Sequence, residues 1–399
     1  MTYVSTQTFT EEALEKALNG GAITRDEAYQ FIRAEGTLVP ELMRCASLVR
    51  DRRKGRRVAY SRKVFIPLTN LCRDRCGYCT FVKAPNHPQA HTMTPEEVLG
   101  VADAGRKAGC KEALFSLGEK PEEVHPIARK HLGQLGYPSM TAYLVAMCQL
   151  VIEETGLLPH CNSGVLEREE VAELREVNAS MGLMLENISP RLLEKGQAHY
   201  GCVGKDPDVR MATMHYAGEM KVPFTTGILI GIGETLEERV DSLFAIKELH
   251  EEYGHIQEVI IQNFRAKPDT RMRGFREPTA VDMVVTIAVA RLILGGDMNI
   301  QAPPNLTPEA YQFYLLAGIN DWGGISPVTK DFINPEKAWP KIAELKERTE
   351  MAGFELKERL AIYPEYIVEK AEYMNPFLKT RILGWVNEEG YVKGEEMMW

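Results

Sequence analysis

The chain has 399 residues, 44% of them hydrophobic and 26% charged, with a formal net charge of −9. These proportions are ordinary for a folded protein and exclude a disordered or low-complexity polymer for most of the chain. The acidic balance argues against nucleic acid as the main partner. No run reaches the roughly 18 apolar residues of a membrane span, and the N-terminus lacks the layout of a secretory signal. We therefore expect a cytoplasmic protein without a membrane partner.

Residues 1–60 are predicted to form an N-terminal helical extension. Helix starts are indicated at Phe9-Thr10-Glu-Glu and at Thr24-Arg-Asp-Glu, and a third helix is predicted from Pro40 to Arg53. This helix merges into a basic run from Arg50 to Arg57. Such a run has two interpretations, a solvated linker or a docking patch for an acidic electron carrier.

Residues 61–333 alternate short β-rich runs with helical stretches. The predicted strands are Val64–Thr69, Ala113–Leu117, Leu158–Asn162, Met181–Glu186, Pro223–Ile230, Val259–Phe264, Met298–Ala302 and Leu316–Asn320. The predicted helices are one that starts at Thr94, Ser139–Glu154, Glu167–Asn178, Pro207–Met220, Leu236–Tyr253, Thr279–Leu294 and Thr307–Leu315. Several of them begin with Thr or Asp followed by Pro or Glu, the usual composition of a helix N-terminus.

Eight strands that alternate with helices predict an α/β fold, a closed (β/α)8 barrel of TIM type. An open, doubly wound sheet is the alternative, because strand counts from one sequence easily err by one or two. Residues 334–399 are expected to form a C-terminal helical tail, with one or two helices and an irregular, aromatic-rich end. In such a barrel the chemistry lies where strands end and loops begin.

Three of the eight cysteines, Cys72, Cys76 and Cys79, fall directly after the first predicted strand. Gaps of three and two residues let one loop present three thiolates to an iron–sulfur cluster. A fully protein-ligated cubane needs four cysteines, so one iron would remain open to a ligand from outside the protein. The alternative is a zinc site completed by His87 or His91.

The CxxxCxxC spacing after the first strand, with Tyr78 before the last cysteine, resembles the radical S-adenosylmethionine (SAM) superfamily. The resemblance implies that Cys72, Cys76 and Cys79 hold a [4Fe-4S] cluster whose open iron binds SAM. It also implies that one-electron cleavage of SAM yields a 5′-deoxyadenosyl radical, which abstracts a substrate hydrogen.

Other strand ends match the same superfamily. Glu119 follows the second strand where the methionine amine is bound, although Leu117 replaces one glycine of the usual Gly-Gly-Glu. The resemblance implies that Glu186 accepts the ribose hydroxyls and that Arg210 binds the methionine carboxylate. A surface ion pair is the alternative for each. The implied SAM-binding residues are Tyr78, Gly118, Glu119, Glu186, Arg210, Gly231 and Gly233.

Three later segments, Gln262–Pro268, Ala302–Leu306 and Ala317–Pro327, resemble one subgroup. This subgroup is the family of first subunits of 7,8-didemethyl-8-hydroxy-5-deazariboflavin (FO) synthases, which make the chromophore of coenzyme F-420. The family implies that a partner subunit joins the hydroxybenzyl part of tyrosine to 5-amino-6-ribitylaminouracil. This chain would then oxidise and cyclise the adduct with loss of ammonia, and a ferredoxin or flavodoxin would reduce the cluster.

Such a substrate needs hydrogen-bonding groups for its uracil and ribityl parts. The expected substrate-binding residues are Gln262, Asn263, Asn305 and Asn320, and Asp321 and Arg265 are the expected catalytic groups that contact the pyrimidine. Turn formation is the alternative role for these residue types. Cys161 follows the third strand, where biotin synthase carries a second-cluster ligand. Ser116 and Thr225 stand in place of the other two such cysteines, so Cys161 is interpreted as a buried apolar residue.

Two other functions remain open from the sequence. One is a related radical SAM cyclase of futalosine-dependent menaquinone synthesis, which would differ in substrate alone. The other is a non-enzymatic iron–sulfur electron-transfer protein, which would have no need of SAM.

Overall fold

The computed structural model describes residues 11–394, in which eight parallel strands close into a barrel. The strand order runs from β2 to β8 and then to β1, which pairs again with β2. The eight barrel strands are β1 Arg57–Thr69, β2 Glu112–Leu117, β3 Leu158–Asn162, β4 Ser180–Gly182, β5 Phe224–Ile230, β6 Ile256–Asn263, β7 Ile300–Gln301 and β8 Asp321–Ile325. The closed barrel confirms the predicted fold class, and the open-sheet alternative is wrong.

A ninth strand from the C-terminal tail, β9 (Glu355–Arg359), pairs parallel with the first half of β1. The long β1 strand makes this possible, since residues 57–61 pair with β9 while residues 63–69 pair with β2. The tail was predicted as helical, so this strand is a correction. The residues of β9 do not form a distinctive apolar run, so their sequence does not indicate a strand. They form one because β1 offers a free edge with which they pair.

The last barrel strand was predicted five residues too early. Residues Phe313–Leu316 are helical, and β8 begins only at Asp321. The pattern of Leu316–Asn320 predicts a strand, but short apolar runs do not distinguish a strand from a buried turn of helix. Asn320 and Asp321 therefore lie at the amino end of β8, not at its carboxyl end.

The helices lie mostly where their capping signals predict them. Thr94 begins α4 with a capping box, since its hydroxyl accepts a hydrogen bond from the Glu97 amide and Glu97 accepts one from the Thr94 amide. Thr24, Thr235 and Thr279 do the same. The helices are α1 (residues 11–18), α2 Arg25–Phe31, α3 Leu38–Lys54, α4 Pro95–Lys107, α5 Pro121–Val124, α6 Pro126–Leu135, α7 Met140–Thr155, α8 Arg168–Arg175, α9 Pro207–Glu219, α10 Leu236–Tyr253, α11 Ala280–Leu294, α12 Phe313–Leu316, α13 Ile342–Met351, α14 Pro364–Val368 and α15 Lys379–Trp385. The helix start predicted at Phe9-Thr10 lies outside the described residues. Short 3-10 helices occupy Pro190–Leu193, Val203–Lys205, Pro304–Leu306 and Ala371–Tyr373.

The basic run Arg50–Arg57 is partly tied down, although Arg52, Arg53 and Arg56 stay exposed. Arg50 is fully buried and donates hydrogen bonds to the backbone carbonyls of Leu315 and Ile319. Lys54 pairs with Glu365 at 2.7 Å, and Arg53 and Arg57 have acidic partners as well. The run therefore holds α3 and the tail against the barrel.

Within residues 11–394, no single helix is long and apolar enough to cross a membrane. The bent pair Pro126–Leu135 and Met140–Thr155 passes that test together, by length and composition only.

Candidate active site

A cavity of about 350 Å³ runs from the loops that follow the strands into the barrel interior. Its upper wall is formed by the cysteine loop after β1, the ends of β2, β4 and β6, and the segment near Trp339. Its lower wall is formed by side chains of the strands themselves and by Arg359 of β9. We call these two regions the mouth and the floor of the barrel.

All three cysteines of the CxxxCxxC loop line the mouth. The Sγ atom of Cys72 accepts hydrogen bonds from the backbone amides of Asp74 and Glu119, at 3.3 and 3.2 Å. Burial nevertheless raises the pKa of the Cys72 thiol to about 12. Cys76 differs, because a hydrogen bond from Cys202 lowers its pKa despite burial, with the Lys205 ammonium adding to the effect.

These cysteines fit a cluster better than the alternative zinc site. His87 and His91, which would have to complete a zinc site, are not among the residues that line the cavity with the three cysteines. Amide hydrogen bonds to a thiolate sulfur, as at Cys72, are a usual feature of iron–sulfur sites. Cys202 contacts Cys76 but is not among the residues that line the cavity, so three thiols face it. The donor set is that of a cubane with one open iron.

The Glu119 carboxylate is packed behind the cysteine loop. It is held by Arg73 at 2.8 Å and by the backbone amide of Val165 at 3.0 Å. Gly118 is required here, since a Cβ atom at this position would lie 1.9 Å from the Leu71 carbonyl oxygen. Both Gly118 and Glu119 line the cavity, and Glu119 also fixes the loops around it.

Glu186 and Arg210 lie close to Glu119 in the mouth, since Nη1 of Arg210 is 4.0 Å from the Glu119 carboxylate. Glu186 lies in the left-handed region with φ of 64° and forms an ion pair with Lys205 at 2.7 Å. Burial opposes ionisation of Glu186, but Lys205 and Arg210 outweigh it, and its pKa lies below the usual value. Arg210 donates to the backbone carbonyls of Met184 and Gly204. Among residues 11–394 its Nη2 has no hydrogen-bond partner, which leaves that group for a ligand in the cavity.

Tyr78 also lines the mouth, and its hydroxyl lies 3.1 Å from Nε2 of His199. Gly231 and Gly233 are placed differently from the cavity residues. They follow β5, and the carboxylate of Glu234 accepts hydrogen bonds from the backbone amides of Gly231 and Ile232. Neither glycine is among the lining residues, so their role toward SAM stays a prediction.

The residues predicted for the substrate divide into two groups. Gln262, Asn263 and Arg265, at and after the end of β6, line the cavity as expected. Arg265 forms an ion pair with Glu277 at 2.9 Å. The Oδ1 atom of Asn263 is buried and has no hydrogen-bond partner within residues 11–394.

Asn305, Asn320 and Asp321 lie outside the cavity lining. Asn320 accepts hydrogen bonds from Arg291 and from the Ile300 amide beneath the barrel. Asp321, fully buried, binds Arg359 at 2.6 and 2.9 Å. The premise that these two residues follow a strand is wrong, and their observed contacts are structural.

Sequence reasoning missed the polar groups of the floor. They project from strand interiors and from β9, where no motif marks them: Lys63, Glu112, His160, Glu258, Gln301 and Arg359. Charged residues at alternate positions of otherwise apolar strands were the available signal, since inward positions of a barrel usually carry Val, Ile or Leu.

The parallel barrel with a three-cysteine loop at its mouth defines a radical SAM enzyme. The sequence profile of the Radical SAM superfamily matches residues 66–246. Solved structures with the same fold include methylornithine synthase PylB, with a TM-score of 0.68 and 22% identity over 86% of this chain and 97% of that chain. They also include the FeFe-hydrogenase maturase HydG from Carboxydothermus hydrogenoformans, with a TM-score of 0.73 and 18% identity over 92% of this chain and 85% of that chain. Enzymes of this superfamily use a [4Fe-4S] cluster and SAM.

Curated relatives give the family. A 7,8-didemethyl-8-hydroxy-5-deazariboflavin synthase of Methanopyrus kandleri is 54% identical over 310 residues, which are 78% of this chain and 92% of the relative. FO synthases of Nocardia farcinica and Mycobacterium tuberculosis are 49% and 47% identical over 93% of this chain. The chain spans only 44% and 45% of their lengths. The chain belongs to the FO synthase family of radical SAM enzymes, and the menaquinone and electron-carrier alternatives are not favoured.

Proposed function

We propose that this chain forms FO by oxidising and cyclising the adduct of a tyrosine-derived hydroxybenzyl group and 5-amino-6-ribitylaminouracil, with loss of ammonia. The observation that carries the proposal is the three-cysteine mouth that opens into a cavity with polar side chains at its floor, in a chain 54% identical to a relative named for this product. When bound, the cluster and SAM supply a hydrogen-abstracting 5′-deoxyadenosyl radical.

The residues of the mouth have distinct roles in this proposal. Cys72, Cys76 and Cys79 hold the cluster, with the Asp74 and Glu119 amides stabilising the Cys72 thiolate. The free Nη2 of Arg210 binds the carboxylate of SAM, for which a guanidinium is well suited. Glu186, held ionised beside Lys205, accepts hydrogen bonds from the ribose hydroxyls.

The side chains of Gln262, Asn263 and Arg265 form the substrate-binding side of the same cavity. Gln262 and Asn263 offer donors and acceptors to the uracil ring, and the unpartnered Oδ1 of Asn263 requires a donor from a ligand. Arg265 stays paired with Glu277 and presents the edge of its guanidinium to the cavity. The stacked rings of Phe65 and Trp339, with centroids 5.3 Å apart, provide an apolar wall for the phenol.

The proposal includes a second synthase subunit that makes the adduct. The FO synthases of Nocardia farcinica and Mycobacterium tuberculosis are about twice as long as the region that aligns with this chain.

The proposal also includes a ferredoxin or flavodoxin as reductant, and it places the docking site away from the Arg50–Arg57 run. That run ends where β1 begins and the cysteines follow the end of β1, so a strand of 13 residues at about 3.3 Å each, roughly 40 Å in all, lies between them. A second basic segment lies beside the cysteine loop, where Met272 packs on Gly77 and Arg271 donates to the Arg75 carbonyl. Among residues 11–394 no ion pair neutralises the exposed Arg75, Arg271, Arg273 or Arg276, and these four form the basic rim.

The test is anaerobic. The protein is reconstituted with iron and sulfide, reduced with dithionite and assayed for 5′-deoxyadenosine with and without the adduct. The proposal expects strong stimulation by the adduct together with a fluorescent deazaflavin. SAM cleavage that the adduct does not stimulate would contradict the assigned substrate, and no cleavage by cluster-loaded protein would contradict the enzyme assignment for this chain.

A further inference from the structure

The floor of the barrel is polar and hollow, which is unusual for a fold whose interior is normally filled by branched apolar side chains. Lys63 and Glu112 form an ion pair at 2.8 Å across β1 and β2. Glu258 on β6 accepts hydrogen bonds from Thr225 at 3.0 Å and from Arg359 at 3.3 Å. All of these side chains except that of Thr225 carry charge, and all line the cavity.

Two interior glycines keep this space open. A Cβ atom on Gly182 of β4 would lie 2.3 Å from Oδ1 of Asn162 and 3.0 Å from Nε2 of His160. A Cβ atom on Gly324 of β8 would lie 1.8 Å from Cε of Lys63. Glycine at these positions therefore makes room for polar side chains rather than for turns.

One floor residue has no partner in the protein. Gln301 on β7 is more than nine-tenths buried and lines the cavity. Within residues 11–394, no group makes a hydrogen bond with its side-chain amide. Its amide atoms are not among the fully buried ones that lack a partner, so they are open to the cavity and available to a ligand there.

The floor carries no excess of positive charge. Lys63 pairs with Glu112, Arg359 lies between Glu258 and Asp321, and His160 is neutral because burial lowers its pKa to about 4. An anionic ligand would need a net positive site, and an apolar ligand would leave these groups unpaired. A neutral group that carries several hydroxyls, each both donor and acceptor, matches this surface.

We propose that the floor, formed by Lys63, Glu112, His160, Glu258, Gln301 and Arg359, is the subsite for the polyhydroxylated ribityl chain of the substrate. This inference rests on the proposed function, which places the reacting part of the adduct near the cysteines. Lys63 lies six residues below the end of β1, roughly 20 Å along the strand. The unreactive end of the substrate is thus bound far from the radical chemistry, and the floor selects ribitylated substrates.

The experiment compares two probes on the reconstituted wild-type enzyme: the ribityl adduct and an analogue with an ethyl group in place of the ribityl chain. The floor subsite requires a KM at least tenfold higher for the ethyl analogue, with kcat within about twofold. Gln301→Leu should raise the KM for the ribityl adduct about tenfold, as expected for one lost buried hydrogen bond, and leave the ethyl analogue unaffected. Gln149→Leu, at an exposed site on α7, is the matched control.

The outcomes separate this inference from the proposed function. Turnover of both probes with equal KM would overturn the floor subsite while leaving FO formation intact. Failure of the ribityl adduct to stimulate SAM cleavage would instead overturn the proposed function. A binding measurement then decides about the floor: if calorimetry shows that the protein binds 5-amino-6-ribitylaminouracil no better than 5,6-diaminouracil, the floor subsite is overturned as well. The probe comparison needs no variant, so a Gln301→Leu protein that fails to fold does not affect it.

Discussion

The mouth and the floor of the barrel hold their polar groups in different ways. At the mouth, Cys72 and Cys79 lie in a loop and Arg210 lies in the first turns of α9, and all three line the cavity. At the floor, most groups lie within strands and bind one another, as Lys63 and Glu112 do. The mouth is thus organised for a cofactor that arrives from outside, whereas the floor is a preformed network with few free positions.

The difference matters energetically because the floor is buried. Arg359, 3% exposed, binds both Asp321 and Glu258, and its removal would leave two buried carboxylates without a cation. Changes at the mouth should therefore affect cofactor binding and turnover, while changes at the floor should affect both stability and substrate selection. Each prediction below tests one side of this division.

The largest effect is expected from Cys76→Ser at the mouth. Loss of one of three cluster ligands should abolish iron incorporation and reduce activity by roughly 1,000-fold or more, while the melting temperature of the apoprotein changes little. Iron content, visible absorbance and 5′-deoxyadenosine formation are the measurements. Cys110→Ala, which removes a buried thiol outside the cavity, should retain its cluster. Full iron loading of Cys76→Ser would contradict the ligand assignment.

At the floor, Arg359→Met should lower the free energy of unfolding by about 3–5 kcal/mol, because it leaves two buried carboxylates unpaired. Chemical denaturation measures the change. The double variant Arg359→Met with Asp321→Asn should recover part of the loss, since one orphaned charge is removed. A single variant as stable as wild type would show that the floor does not depend on this network.

The mouth could be predicted from the sequence because its residues follow one another in loops. Cys72, Cys76 and Cys79 form a motif by spacing alone, and Glu186 and Gln262 follow strands that alternate clearly with helices. The floor could not be predicted from the sequence, because Arg359 lies on β9. This strand of the tail has a pairing partner only in the folded barrel. The misplacement of Asn320 and Asp321 has a related cause, since a five-residue shift of one short strand moved them to the opposite end of the barrel.

Arg210→Met should weaken SAM binding by about 10- to 100-fold, the range expected for hydrogen bonds to a charged group. Calorimetry on the cluster-loaded protein measures the affinity. Arg210→Lys should lose less, because it keeps the charge but not the planar pair of donors. Arg168→Met, on the outer surface, is the control. If Arg210→Met bound SAM as tightly as wild type, the role of Arg210 would be limited to its hydrogen bonds with the Met184 and Gly204 carbonyls.

A smaller effect is expected from the double variant Arg271→Glu with Arg273→Glu in the basic rim. Electrostatic steering of an acidic flavodoxin should weaken, and the rate of cluster reduction at low salt should fall about tenfold. Stopped-flow absorbance measures the rate, and reduction by dithionite serves as a reference that should not change. The pair Arg53→Glu with Arg57→Glu, at the opposite end of the barrel, is the matched control. A greater loss in that control would return the docking site to the Arg50–Arg57 run.

The last prediction concerns how the free energy of unfolding depends on pH. It tests whether the His160 imidazole in the floor is neutral. The imidazole lies 2.7 Å from the Ser180 hydroxyl and 3.2 Å from Oδ1 of Asn162, and burial lowers its pKa to about 4. In the unfolded chain the same group binds a proton near pH 6.5. Burial of the neutral His160 imidazole therefore costs no stability above pH 6.5, and the free energy of unfolding decreases as the pH falls from 6.5 toward 4.

His160→Gln should consequently reduce the slope of unfolding free energy against pH by up to about 1.4 kcal/mol per pH unit within that window. Urea denaturation at half-unit steps from pH 4 to 7.5 measures the slope. Some pH dependence should persist, because burial also lowers the pKa of His250 to about 4 and that of His255 to about 3. A slope equal to that of wild type would mean that His160 binds its proton as readily in the folded as in the unfolded chain, so that the floor would gain a positive charge below about pH 6.5 and would there favour an anionic ligand over a neutral polyol.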